Sequence, residues 1–64
     1  MEQAFDVRSN ATLRAERVCL RDAKAIATQY PEANITQCSG IEGKPLRFKM
    51  KRNADGGPQF ERLS

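Results

Sequence analysis

Leu46-Arg47-Phe48-Lys49-Met50-Lys51 is the stretch on which the reading of this chain turns. Apolar Leu46, Phe48 and Met50 alternate with basic Arg47, Lys49 and Lys51. Successive side chains of an extended chain point to opposite sides, so this period of two predicts an antiparallel strand with one buried face and one cationic face. Pro45 stands where that strand begins, a position that does not need the N–H proline lacks. Immediately upstream, Glu42-Gly43 reads as a hairpin turn, with Gly43 supplying the positive φ that other residues resist. Before it, Ile35-Thr36-Gln37-Cys38-Ser39 is β-prone, with Gly40 as a bulge. Downstream, Asn53 to Pro58 reads as turn or loop. Gln59 to Leu63 then adds a short edge strand through Phe60, or the tail frays.

Further upstream the period changes. Leu20, Ala23, Ile26, Ala27 and Tyr30 stack on one side of a 3.6-residue helix, predicted from about 20 to 30. Pro31 ends it, because proline has no backbone donor and pushes Tyr30 away from helical geometry. Residues 11–19 admit two readings. They extend the helix back toward Asn10 as N-cap, or they form the second arm of a hairpin. In the hairpin Phe5 and Val7 alternate with Asp6 and Arg8, Ser9-Asn10 turns the chain, and Leu13 and Ala15 alternate with Thr12, Arg14 and Glu16. The hairpin is preferred, since a long helix leaves the first strand without a sequential neighbour. Strand then passes to helix near Val18-Cys19, where no strong N-cap residue stands.

The order strand, strand, helix, strand, strand, with a short fifth strand at the end, predicts a single α+β domain over residues 1–64. It is a two-layer sandwich in which one helix covers one face of an antiparallel sheet of four to five strands. Its core would bring Phe5, Val7, Leu13, Phe48 and Met50 against the helical face. The other sheet face is left to solvent or a partner. A chain of 64 residues buries only about 60% of the surface its unfolded form exposes, so such a core offsets chain entropy narrowly.

Composition removes several function classes. Histidine is absent, and with it the usual general base near neutral pH and the commonest metal ligand. Two cysteines do not complete a structural zinc site. No phosphate-cradling glycine motif, nucleophile elbow or paired carboxylates occur. The expectation is a protein without catalytic residues, cofactor or metal. No apolar run approaches the roughly 20 residues that cross a bilayer, and Met1 to Asp6 lacks a basic segment followed by an apolar one, so a cytoplasmic protein without membrane contact is expected. In that reducing compartment Cys19 and Cys38 are expected as thiols.

Charge is unevenly spread. Residues 1–43 carry five basic and six acidic side chains, whereas residues 44–64 carry six basic and two acidic. Lys44, Arg47, Lys49, Lys51 and Arg52 fall within nine residues that contain no acid. On a strand, Arg47, Lys49 and Lys51 would stand roughly 6.5 to 7 Å apart in a row, a spacing comparable to successive phosphates of a nucleic acid and equally suited to carboxylates of an acidic protein. Lysine on a solvent-facing strand also blocks edge-to-edge aggregation, and that role alone accounts for such a row about as well. Nucleic-acid binding through it would be phosphate-led and salt-sensitive, since Phe48 lies on the buried side and no Trp is present to stack on bases.

The hairpin, the helix Leu20-Arg21-Asp22-Ala23-Lys24-Ala25-Ile26-Ala27-Thr28, the Ile41-Glu42-Gly43 turn and the basic strand after Leu46 together resemble, in layout, a small phage anti-CRISPR family that binds the type I surveillance complex Cascade. The resemblance covers about two thirds of the chain. It implies a non-enzymatic inhibitor that docks on the Cas7 backbone through its basic sheet face and obstructs target DNA. Lys24, Arg47 and Lys49 have counterparts in that scheme, and the Asn53 to Pro58 loop departs from it. The candidate binding residues are thus Lys24, Lys44, Arg47, Lys49, Lys51 and Arg52. Two classes of function follow: an inhibitor occupying a host protein machine, and a small nucleic-acid-binding module.

Overall fold

A computed structural model describes residues 2–63. Five strands and one helix follow in the order β1 (Ala4–Ser9), β2 (Thr12–Val18), α1 (Leu20–Ala27), β3 (Asn34–Ser39), β4 (Arg47–Arg52) and β5 (Pro58–Arg62). The strands make one antiparallel sheet in the spatial order β2-β1-β3-β4-β5, with α1 packed on one face. This is the two-layer α+β sandwich expected, with the fifth strand formed.

The hairpin reading of residues 4–18 holds. Ser9 pairs with Thr12 across a two-residue loop in which Asn10 and Ala11 both have positive φ, 53° and 62°. Mirror-image turns of this kind match the right-handed twist of the flanking strands. The strand-to-helix step falls at Cys19, an extended N-cap residue with no side-chain capping bond. The helix is shorter than its apolar spacing predicts. After Ala27 the amides of Gln29 and Tyr30 bond to carbonyls three residues back, Ile26 and Ala27. The Thr28 hydroxyl donates to the Ala25 carbonyl at 2.7 Å. The last turn thus tightens and ends before Pro31, and Tyr30 packs on the core from outside the helix.

Direct partners in an antiparallel ladder share a face, so the register defines both sides of the sheet. Ala15, Val7, Ile35, Phe48 and Arg62 form one row across all five strands on the helix side. Phe5, Val7, Ala23, Ala27, Ala33, Ile35 and Met50 make the buried core, and Leu20, Ile26, Tyr30, Phe48 and Phe60 close around it. Leu46, Phe48 and Met50 therefore face inward as the alternation requires.

Leu13 does not join them. Val7 pairs with Ala15 but Arg8 pairs with Leu13, and the extra residue, Arg14, is a bulge that turns Leu13 to the opposite face, where it is 40% exposed. The strict alternation read through Thr12 to Glu16 has no means of showing that insertion.

The tight Glu42-Gly43 turn is also replaced, by a seven-residue connection from Gly40 to Leu46. Gln37, nearly buried beneath it, pins this loop. Its amide nitrogen donates to the carbonyls of Ser39 and Gly40 at 3.1 and 2.9 Å, and its oxygen accepts the Leu46 N–H at 2.9 Å. Gly43 does take the positive φ expected of it, 81°. The β4–β5 loop is closed by Asn53, whose side-chain oxygen accepts the amides of Asp55 and Gly57, both at 3.0 Å.

Candidate binding face

Opposite the helix, the sheet presents an uncovered face whose composition follows from the register. Leu13, Arg8, Asn34, Lys49 and Glu61 form one row across β2, β1, β3, β4 and β5. Asp6, Thr36 and Arg47 form the next, and Leu63, whose N–H donates to the Arg47 carbonyl at 2.8 Å, extends it. Lys51 pairs with Gln59 one step further along β4. Arg47, Lys49 and Lys51 thus point the same way from one strand, and the period-two reading of that segment is realised in three dimensions.

Five residues of this face were not among the binding candidates read from the sequence. Arg8 reaches it because β1 lies next to β3, which brings it within two strands of Lys49, with Asn34 between. Leu13 and Leu63, 40% and 44% exposed, stand at opposite margins. Asn34 and Thr36, on the central strand, offer uncharged hydrogen-bonding groups between the cations. The apolar–polar alternation of Phe5 to Arg8 was the one available signal for Arg8, and it placed the residue outward without saying beside what.

The other candidates lie elsewhere. Lys24 is on the helix side, its ammonium 5.7 Å from the Phe48 ring and 5.6 Å from the Phe60 ring. It lays its stem over the core rim while its charge sits against two aromatic faces. Arg52 also points to that side, donating to the Thr28 carbonyl at 2.7 Å and the Gly56 carbonyl at 3.2 Å. Lys44 belongs to the 40–46 loop, where it lines an open recess of about 620 Å³ with Glu42, Gln37 and Leu46. Of the six basic residues singled out, three share the open face.

Electrostatics divides the face. Lys51 and Glu61 are ion-paired, both half exposed. The hydrogen bond and charge of Lys51 hold the Glu61 carboxyl below the usual range, with a smaller contribution from Lys49. Arg8 and Arg47 have no ion pair among the described residues. Toward β2, Asp6 accepts the Arg17 backbone N–H at 3.0 Å, where Arg17 bulges out of the ladder with φ 55°. Half-burial pushes the Cys38 thiol up, and its hydrogen bond to Asp6 and that residue's charge act in the same direction. Cys19 and Cys38 are both free. Among the described residues no group of three or more His, Cys, Asp or Glu gathers as a metal site, and no helix is long and apolar enough to cross a membrane.

Chemically, the face offers guanidinium and ammonium groups to anions, amide and hydroxyl groups to hydrogen bonds, and two leucines to an apolar partner surface. No protein-family model, curated protein or solved structure matches the chain.

Proposed function

We propose that this chain is a non-enzymatic binding protein that docks its open sheet face on an acidic patch of a protein partner. One observation carries the reading: on a face that nothing among the described residues covers, three cations, Arg8, Arg47 and Lys49, and one acid, Asp6, flank Asn34 and Thr36, with exposed Leu13 and Leu63 at the margins. Guanidinium groups bind carboxylates in bidentate fashion, charge complementarity speeds encounter and fixes orientation, and peripheral leucines exclude water from the polar centre. A phosphate backbone offers such leucines nothing. Lys24 and Arg52 support the face from behind by holding the helix. The layout resemblance to anti-CRISPR proteins names one specific partner, the type I surveillance complex. Bound there, the chain would act as an inhibitor by occupying the surface that target DNA approaches.

The second reading, a nucleic-acid-binding module, draws on the spacing of Arg47, Lys49 and Lys51 along β4, which suits phosphates. Among the described residues the face carries no aromatic side chain to stack on bases.

The test compares the natural chain with an Arg8→Glu, Arg47→Glu variant by fluorescence anisotropy. The probes are a peptide with two glutamates flanked by leucines, generic single-stranded and duplex DNA, and a purified type I surveillance complex. The peptide is expected to bind the natural chain and to lose at least about tenfold in affinity to the charge-reversed form, with the circular dichroism spectrum unchanged. Peptide affinity that survives the reversal removes this face from the site. DNA binding that exceeds peptide binding and falls steeply with salt establishes the second reading instead.

A further inference from the structure

We infer that Glu61 is the specificity-determining residue of the open face, biasing it toward discrete carboxylates on a protein and away from the continuous phosphate backbone of a nucleic acid. This rests on the face being a binding surface and adds what selects its partner.

Glu61 stands directly opposite Lys49 in the β4–β5 ladder, and its carboxylate is ion-paired with Lys51, the next cation along β4. One carboxylate therefore serves two of the three cations in the β4 row. A nucleic-acid strand laid along Arg47, Lys49 and Lys51 would find two of those positions already shared with a negative charge. Its phosphates would also pass beside that charge, and like charges in contact are destabilising.

The other side of the face differs. Arg8, on β1, and Lys49, on β4, flank Asn34, with Arg47 diagonal to it beside Thr36, and neither arginine is ion-paired among the described residues. Asp6, across Thr36 from Arg47, keeps its negative charge while accepting the Arg17 backbone N–H, so the cationic end of this side is the one at Asn34, beside Arg8. An isolated carboxylate seated over Asn34 meets cations there without meeting Glu61. The depressed acidity range of Glu61 keeps its charge in place throughout the neutral range.

The experiment uses the full chain, its Glu61→Gln variant and a Glu42→Gln variant, which makes the same charge change in the 40–46 loop. Each is titrated with labelled oligothymidylate and with the two-glutamate peptide over a range of salt concentrations. Glu61→Gln is expected to bind oligothymidylate about fivefold more tightly, with a log–log salt slope steeper by about one. Its peptide affinity should change by less than about twofold, and Glu42→Gln should leave both affinities near those of the natural chain.

Three results overturn the inference: no gain for oligothymidylate, an equal gain for both probes, or the same gain from Glu42→Gln. Failure of the face itself has another signature, namely peptide binding that persists after charge reversal at Arg8 and Arg47.

Discussion

Ala11 carries the clearest single-residue conflict between chemistry and geometry. With φ at 62°, it sits in left-handed backbone that a Cβ disfavours by roughly 1–2 kcal/mol, and its neighbour Asn10, at 53°, tolerates that region better. Glycine at position 11 would make the Asn-Gly pair that two-residue hairpins favour. Ala11→Gly is expected to stabilise the fold by about 0.5–1 kcal/mol, less the entropy that glycine returns to the unfolded chain. A thermal melt checks it, and an unchanged or lower midpoint would show that the turn is not left-handed. At Gly40 the demand runs the other way. Its φ is 73°, and an added Cβ would lie 2.8 Å from the Glu2 carbonyl oxygen. The positive φ at Gly43 was legible from residue type. That at Ala11 was not, because alanine gives no local sign of a conformation the hairpin imposes.

Among the elements, the β4–β5 hairpin and α1 are joined by Arg52. Its guanidinium meets the Thr28 carbonyl at the helix C-terminus, where the unpaired carbonyls make a partial negative charge that a cation offsets. Arg52→Ala is expected to cost about 1 kcal/mol, a modest figure because the side chain is exposed and solvent competes for both partners. Urea denaturation reads the loss, and hydrogen exchange should quicken at Thr28 and Gln29 first. Equal exchange in both proteins would mean the contact contributes nothing. In the sequence Arg52 looked like one more cation of the basic run. Its turn toward the helix follows from strand parity, since it shares a side with Phe48 and Met50, and from the fold bringing residue 28 within reach of residue 52.

For the whole molecule, stability rests on a core that, among the described residues, holds seven buried hydrophobic side chains, three of them alanines. Ile35 is wholly buried at its centre, between Val7 on β1 and Phe48 on β4. Ile35→Ala removes packing worth about 2–5 kcal/mol, against the roughly 3–5 kcal/mol that a single core of this size supplies. The variant is expected to be largely unfolded at physiological temperature by circular dichroism. A cooperative melt within a few degrees of the natural chain would mean the core lies elsewhere. Periodicity alone placed strands at Phe5 to Arg8 and at Leu46 to Lys51, started the helix at Leu20, and set Arg47, Lys49 and Lys51 pointing away from Leu46, Phe48 and Met50. Those are local facts, set by the angle between successive side chains along one segment. Tertiary structure decided that Arg8 and Leu13 share a face with Lys49, that Lys24 and Arg52 do not, and that Glu61 sits against Lys49 and Lys51. Those depend on strand order, on the bulge at Arg14 and on cross-strand register, which arise from pairings between segments distant along the chain and leave no trace in the spacing within any one of them.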